Sequence, residues 1–265
     1  MLFFIITAIS CIITVLFYVT GLTHNFFIVL PIFIACFVSV LLIWLLPCVI
    51  CSMFVDLKKP CVKHSSFFRF YADSIISFIR GLFGIKVIVK GTELIPREKF
   101  LLVSNHRSQM DPILELGVFS NHRIGLVAKQ ELFKAPIVSK IIHKCFCLPL
   151  DRSSSRKASA TIAQAADLIR TQTASIGIYP EGTCNIKPDL LSFRSGAFKI
   201  AQRAKCPIVI AVIRDSELAA RCVPFKKTKV FVDIVGVIGV EEVLKCKTSQ
   251  ISDRIRRLMN KALKP

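Results

Sequence analysis

The sequence predicts an α/β domain with a mixed, mostly parallel sheet flanked by helices, preceded by an N-terminal membrane helical hairpin. Two observations support this prediction. Residues 1–55 contain no Asp, Glu, Lys or Arg and form two long apolar runs. From residue 56 onwards, short apolar segments of strand length alternate with longer helix-like segments, a pattern typical of a sheet covered by helices. We therefore expect two domains, a hairpin of residues 1–55 and an α/β domain of residues 56–265.

Both apolar runs are long enough to cross a membrane. They extend from Leu2 to Leu22 and from Phe26 to Val55, and about 20 apolar residues span a bilayer core. A cleavable signal peptide is the competing interpretation of the first run, but this run has no basic n-region or A-x-A-like cleavage site, and a second apolar run follows it. Pro31 and Pro47 leave a re-entrant hairpin open as an alternative to a spanning one.

The charge of the chain lies entirely after the hairpin. The 36 Lys and Arg outnumber the 17 Asp and Glu, which gives a net charge of +19. Lys58, Lys59 and Lys63 follow the second run, so the positive-inside rule predicts that the domain lies on the cytoplasmic face of the cytoplasmic membrane. Such charge attracts a domain to anionic lipid. We expect no nucleic-acid partner, because no recognition motif occurs.

The cysteines predict neither a disulfide framework nor a metal site. Their number, eleven, is odd, and the CxxC of Cys48 and Cys51 lies in an apolar run without other ligands. Cys145 and Cys147 alternate on an apparent strand, as small core residues do. This usage indicates a reduced, cytoplasmic protein, and we expect no metal and no cofactor.

The elements after the hairpin follow from apolar periodicity. Residues 64–82 predict an amphipathic helix that either lies along the membrane surface or covers the core. Seven apolar segments predict strands, at 84–91, 100–103, 124–128, 145–150, 176–179, 208–213 and 230–237. Five further segments predict helices, at 112–119, 136–143, 154–171, 196–204 and 249–263.

The first candidate site is NHRSQMD at 105–111. His106 follows the apolar FLLVS run, at the carboxyl end of a predicted strand, where α/β sheets bind ligands. A spacing of five residues is roughly 140° around a helix, so we expect the chain to turn and bring Asp111 to the imidazole. A buried aspartate on one ring nitrogen raises the basicity of the other, which makes His106 a candidate general base. Alternatively, Asp111 only caps a helix that begins at Pro112.

Three further stretches follow other predicted strands. In YPEGT, Gly182 allows a close backbone approach to a ligand, with neighbouring amides directed at a developing oxyanion; the alternative is a loop that Pro and Gly merely punctuate. In LPLDR, the guanidinium of Arg152 suits a phosphate monoester. CPIVIAV at 206–212 carries no polar chemistry, and we expect it to form an apolar wall.

With these four stretches in order, the chain resembles the glycerolipid acyltransferases, specifically the bacterial-type 1-acyl-sn-glycerol-3-phosphate (lysophosphatidate) acyltransferases. Lys129 in VAKQELFKAP also fits a lysine-containing segment of that family. The resemblance implies a glycerol-3-phosphate acyltransferase-like fold, with residues 56–265 as the catalytic domain. Two positions depart from the family pattern: Cys184 stands where arginine often follows PEGT, and Ala211 stands where the fourth motif often has a second proline. Arg194, where the family often has lysine, is expected to compensate for the first.

The resemblance implies transfer of a fatty acyl group to the sn-2 hydroxyl of 1-acyl-sn-glycerol 3-phosphate, giving phosphatidic acid in phospholipid biosynthesis. The donor would be an acyl thioester, either of acyl carrier protein or of coenzyme A. His106 would take the hydroxyl proton and Asp111 would orient it. The substrate-binding residues that the resemblance implies are Asn105, Arg107, Lys129, Arg152, Glu181, Gly182, Thr183 and Arg194. Arg152 and Lys129 are the candidates for holding the phosphate, and membrane lipid is the expected partner surface.

Other functions stay open at this point. The acceptor could instead be glycerol 3-phosphate or another lysophospholipid, and a non-catalytic module that binds anionic lipid would keep the hairpin and the charge. A serine hydrolase is disfavoured, because no G-x-S-x-G motif occurs in the chain. A covalent mechanism through Cys184 is disfavoured as well, since nothing in the sequence suggests a lowered thiol pKa.

Overall fold

In the computed structural model, the chain forms two apolar helices followed by an α/β domain. The structure describes residues 2–21, 25–151, 153–187, 189–221 and 227–263. The helices are α1 (Leu2–Val19), α2 (Phe26–Met53), α3 (Ser66–Leu82), α4 (Asp111–Val118), α5 (Pro136–Lys144), α6 (Ser155–Arg170), α7 (Lys199–Ala204), α8 (Ser216–Arg221), α9 (Val240–Lys245) and α10 (Thr248–Leu263). The strands are β1 (Ile85–Lys90), β2 (Leu101–Ser104), β3 (Gly125–Lys129), β4 (Leu148–Leu150), β5 (Ile176–Ile178), β6 (Ile208–Arg214) and β7 (Thr228–Ile238).

The strands form one sheet in the order β1-β7-β6-β2-β5-β3-β4. The five strands from β6 to β4 are parallel to one another, and β7 joins β6 in the antiparallel sense, with β1 parallel to β7. Helices cover the sheet. The predicted fold class, a mixed and mostly parallel sheet flanked by helices, is therefore confirmed.

The central strands are apolar because both of their faces are covered. All four residues of β2 and the first six of β6 are buried, as is typical of parallel strands between helical layers. Successive side chains of β2 enter opposite cores: Leu101 and Val103 pack in the cluster that includes α6, α7 and α10, whereas Leu102 packs in the cluster that includes α4. The CPIVIAV stretch, expected to form an apolar wall, leads into the interior strand β6, which the sequence predicts at 208–213.

The two N-terminal helices pack against each other and against α3. The rings of Phe3 and Phe37 both contact Phe78 of α3, and the Tyr71 hydroxyl of α3 donates to the Trp44 carbonyl of α2 at 3.0 Å. Both helices are long and apolar enough to cross a membrane. The helical hairpin that the sequence predicts is present, and α3 connects it to the α/β domain.

Two local predictions were wrong. The strand predicted at 145–150 begins only at Leu148, because Cys145 caps the end of α5 and Phe146 has a φ of 63°. Cys145 and Cys147 are nevertheless buried core residues, as expected. The helix predicted at 196–204 begins as a 3₁₀ turn, Ser195–Phe198, before α7. The short helices α8 and α9 were not predicted, since six residues are too few to show a helical period.

Gly91 directly follows β1, at a point where the fold requires glycine. Its φ is 75°, and a Cβ there would lie 2.3 Å from the Ile234 carbonyl oxygen of β7. We expect Gly91→Ala to lower the free energy of unfolding by about 2 to 4 kcal/mol, because it adds a left-handed strain to a backbone clash. Thermal unfolding in detergent measures this effect. The control is Gly196→Ala, where a Cβ meets nothing within 4 Å; equal melting temperatures for the two variants would contradict the prediction.

Candidate active site

The imidazole of His106 and the carboxylate of Asp111 meet in a tight turn after β2. His106 Nδ1 lies 2.9 Å from Asp111 Oδ2. The same oxygen accepts the backbone N–H groups of Arg107 at 2.6 Å and Ser108 at 2.7 Å. The predicted turn is therefore present. Although Asp111 begins α4 with Pro112 behind it, these bonds run back to the preceding loop, so its carboxylate does more than cap the helix.

These bonds fix the protonation pattern of the His106 ring. Asp111 is fully buried, and its ionised carboxylate can only accept, so Nδ1 carries the hydrogen and Nε2 keeps a lone pair. Among the described residues, none hydrogen-bonds to Nε2. The His106 side chain keeps 17% of its surface exposed, so the ring edge is open to a ligand. This arrangement can accept a proton from a bound hydroxyl group.

The YPEGT loop after β5 is bonded directly to the His106 turn. Glu181 Oε1 accepts the backbone N–H of His106 at 3.0 Å, and the N–H of Asn185 donates to the His106 carbonyl at 2.7 Å. The other carboxylate oxygen, Oε2, accepts the N–H of Leu191 at 2.9 Å. Glu181 is buried. Its carboxylate therefore joins the backbones of both loops, and contact of Glu181 with substrate stays a prediction.

Asn105 and Arg107 are likewise engaged within the protein. Asn105 is buried, and its side-chain amide donates to the Ile213 carbonyl at 2.9 Å and accepts the Ile213 N–H at 2.7 Å. The Arg107 guanidinium pairs with Glu217 through two bonds, of 2.9 and 2.5 Å, which raises the pKa of Arg107 further. Asn105 therefore joins the end of β2 to β6, and Arg107 joins the turn to α8; that these two side chains bind substrate stays a prediction.

The residues around Gly182 are the exposed part of the YPEGT loop. Gly182 has a φ of 73°, and its own N–H donates to the Tyr179 carbonyl at 3.0 Å; the oxyanion contact expected of the neighbouring amides stays a prediction. Thr183 is exposed. Burial raises the pKa of the Cys184 thiol, with Asp111 and Glu181 acting in the same direction, which agrees with the sequence-based argument against a thiolate nucleophile.

Two basic side chains lie open at this edge of the sheet. Arg194 is exposed and crosses Gly182, where an added Cβ would lie 2.9 Å from its Nε atom. Lys129 ends β3, with 62% of its side chain exposed, and its Nζ lies 3.7 Å from Glu131. Arg152 lies outside the described residues. Within the described ranges, no group of three or more His, Cys, Asp or Glu could hold a metal ion.

Tyr179 and Glu115 complete the surroundings of His106, and sequence reasoning assigned neither a role. The Tyr179 ring stacks on the imidazole, with centroids 4.4 Å apart and an 18° interplanar angle. Its hydroxyl donates to Glu115 Oε2 at 2.6 Å. The available signal was the spacing: Glu115 lies four residues after Asp111, so one face of a helix carries both carboxylates.

The comparisons with known proteins agree with the resemblance seen in the motifs. Residues 86–214 match the family model described as Acyltransferase. A probable 1-acyl-sn-glycerol-3-phosphate acyltransferase of Mycoplasma pneumoniae is 32% identical over 139 residues, which are 51% of this chain and 52% of that protein. The 1-acyl-sn-glycerol-3-phosphate acyltransferase of Saccharomyces cerevisiae is 27% identical over 187 residues, which are 69% of this chain and 61% of that protein.

A solved structure shares the fold. The crystal structure of the 1-acyl-sn-glycerophosphate acyltransferase from Thermotoga maritima superposes with a TM-score of 0.60 at 19% sequence identity, and the alignment covers 86% of this chain and 90% of that one. In sequence, the chain spans about half to three fifths of the length of the two curated relatives above.

The bonds of Asn105 predict a structural effect. Asn105→Ala leaves the Ile213 N–H and carbonyl unpaired inside the sheet, so we expect the free energy of unfolding to fall by about 2 to 4 kcal/mol. Thermal unfolding measures this loss. The control is Thr183→Ala, an exposed position in the neighbouring motif, which should leave the melting temperature unchanged. An Asn105→Ala protein as stable as the wild type would show that the amide does not hold the two strands together.

Proposed function

We propose that the chain is a 1-acyl-sn-glycerol-3-phosphate acyltransferase, because residues 86–214 match the Acyltransferase family model. It would transfer an acyl group from acyl carrier protein or coenzyme A to the sn-2 hydroxyl, giving phosphatidic acid for phospholipid biosynthesis. The observation that carries the proposal is the 2.9 Å contact between His106 Nδ1 and the buried Asp111. That contact leaves Nε2 of a partly exposed ring as a proton acceptor.

The chemistry needs one proton transfer in each direction. His106 Nε2 accepts the proton of the acceptor hydroxyl as its oxygen attacks the thioester carbonyl. The tetrahedral intermediate then collapses, the carbon–sulfur bond breaks, and the imidazolium returns the proton to the departing thiolate. Asp111 balances the positive charge of the imidazolium in between, as a buried carboxylate does in other histidine-based sites. A general base of this kind accelerates a reaction by about 10² to 10⁴-fold.

The acceptor phosphate needs a positively charged side chain that is not already paired with a carboxylate of the protein. Arg107 does not meet this condition, since its guanidinium is paired with Glu217. Arg194 is exposed and crosses the YPEGT loop, which is itself bonded to the His106 turn. A guanidinium binds a phosphate monoester through two parallel hydrogen bonds. We assign the phosphate first to Arg194, with Lys129, Thr183 and Arg152 as further candidates.

The location we propose follows from the two apolar helices. Residues 1–55 would form a membrane hairpin, and residues 56–265 would form the catalytic domain on the cytoplasmic face, held on anionic lipid by its positive charge. Large apolar side chains of both helices are exposed in the isolated chain, including Phe4, Phe27 and Ile43. Attachment at the bilayer surface concentrates an acceptor that carries an acyl chain and stays in the membrane.

A transfer assay tests the function directly. Purified protein receives lysophosphatidate and a labelled acyl thioester, and His106→Ala should lose at least about 10²-fold in kcat/KM. The matched control is His122→Ala. His122 precedes β3 and so lies at the amino ends of the parallel strands, at the edge opposite His106.

The assay also separates the alternatives. Parallel reactions with glycerol 3-phosphate or another lysophospholipid identify the acceptor, and acyl carrier protein beside coenzyme A identifies the donor. Transfer to none of these acceptors would favour a lipid-binding module without catalysis. Equal rates for wild type and His106→Ala would remove His106 from the mechanism.

The phosphate assignment predicts a change in acceptor binding. We expect Arg194→Gln to raise KM for lysophosphatidate about 10-fold or more, since it removes a charge-assisted hydrogen bond to the phosphate. Transfer to a monoacylglycerol, which has no phosphate, should be unaffected. Arg203→Gln, which removes an exposed charge from α7, is the control. A KM that rises equally in both variants would point to the overall charge instead of a phosphate contact.

A further inference from the structure

We infer that Glu115 is a positioning residue of the transfer reaction: it holds the Tyr179 ring against His106 and thereby stabilises the imidazolium that forms when His106 accepts a proton. The inference rests on the proposed function and adds to it two residues outside the histidine–aspartate pair.

The stack is the first step of the argument. The two rings lie 4.4 Å apart at 18°, so the face of Tyr179 covers the face of the imidazole. An aromatic face carries negative potential and attracts a cation. The interaction is weak while His106 is neutral and becomes stronger when the ring takes up the hydroxyl proton. It therefore favours the charged intermediate over the resting state, as a catalytic contribution must.

The bond to Glu115 is the second step. A Tyr179 hydroxyl that donates to a carboxylate at 2.6 Å makes a short, charge-assisted hydrogen bond. Burial and the charge of Glu115 raise the pKa of Tyr179 well above its usual value, so the proton stays on the phenol and the carboxylate polarises the O–H bond. The bond also fixes the orientation of the ring. Asp111 and Glu115 lie four residues apart on α4. The same helix therefore carries the carboxylate that bonds the edge of the imidazole and the carboxylate that holds Tyr179 against its face.

The burial of Glu115 is difficult to explain by stability alone. The residue is 1% exposed. Among the described residues, neither its Oε1 atom nor the buried Ser104 hydroxyl has a hydrogen-bond partner, although Ser104 lies close enough to lower the pKa of the carboxyl group. A buried carboxyl group costs free energy, and an apolar side chain would fill this space without that cost. The hydrogen bond to Tyr179 is the one well-formed contact of the carboxylate among the described residues.

The surroundings of Glu115 place its ionisation in the working pH range. Burial raises the pKa of Glu115 to about 7; the hydroxyls of Ser104 and Tyr179 oppose this shift, and the charge of Asp111 adds to it. Cys147, which faces Tyr179 from the segment before β4, stays a neutral thiol, since burial raises its pKa to about 11. Glu115 is thus ionised above about pH 7, and the charged form of its bond to Tyr179 is lost as the pH falls below that value.

A substrate-independent experiment measures the effect on His106. Diethyl pyrocarbonate modifies neutral imidazole, and mass spectrometry of the peptide with His106 gives its modification rate at each pH. We expect the half-maximal pH to move down by about half a unit or more in Glu115→Gln and in Tyr179→Phe, because both variants weaken the stabilisation of the imidazolium. The control is Glu242→Gln, which removes a carboxylate that pairs with Arg254 on α10, outside the site.

Kinetics supply the second measurement. With lysophosphatidate and an acyl thioester, kcat should fall about 5 to 10-fold in Glu115→Gln and Tyr179→Phe while KM stays unchanged. Tyr179→Phe removes a single oxygen and decides the question if Glu115→Gln does not fold. A half-maximal pH equal to that of the wild type in both variants would overturn the inference. A wild type that transfers no acyl group would overturn the proposed function, and the modification rates would still decide the role of Glu115.

Discussion

The site depends on a single carboxylate oxygen. Asp111 Oδ2 accepts three hydrogen bonds, from the His106 ring and from the N–H groups of Arg107 and Ser108. These bonds form the turn that returns the chain from the end of β2 to the start of α4, and they fix which nitrogen of the ring carries the proton. The same carboxylate oxygen therefore holds the turn together and orients the His106 ring. Because Asp111 is buried, water is excluded and these hydrogen bonds are stronger.

The sheet explains why two motifs far apart in the chain meet. β2 pairs in parallel with both β5 and β6, so the loops that follow these strands leave the sheet at the same edge. The first bond between the motifs joins residues 75 positions apart, His106 and Glu181. Asn105 adds a second connection, from β2 to β6. The turn that carries His106 is therefore held from both neighbouring strands.

The sequence predicted the elements with strong periodicity and the histidine–aspartate pair, because both depend on local spacing. It did not predict the antiparallel pairing of β7, since apolar alternation carries no information on strand direction. The contacts that Asn105, Arg107 and Glu181 make within the protein could not be predicted either, for a different reason. A polar residue in a motif can bind a ligand or the protein backbone, and only the fold shows that Ile213, Glu217 and the His106 N–H already occupy these three side chains.

The same distinction explains the role of Gly182. Its N–H is bonded within the loop, so the amide itself offers nothing to a ligand. Any other residue at this position would be strained at a φ of 73° and would place its Cβ 2.9 Å from Arg194 Nε. The glycine therefore leaves room for the Arg194 side chain to cross the loop. Cys184 stands beside it where the family often has arginine, so in this chain the guanidinium over the loop comes from position 194 and not from the end of the PEGT motif.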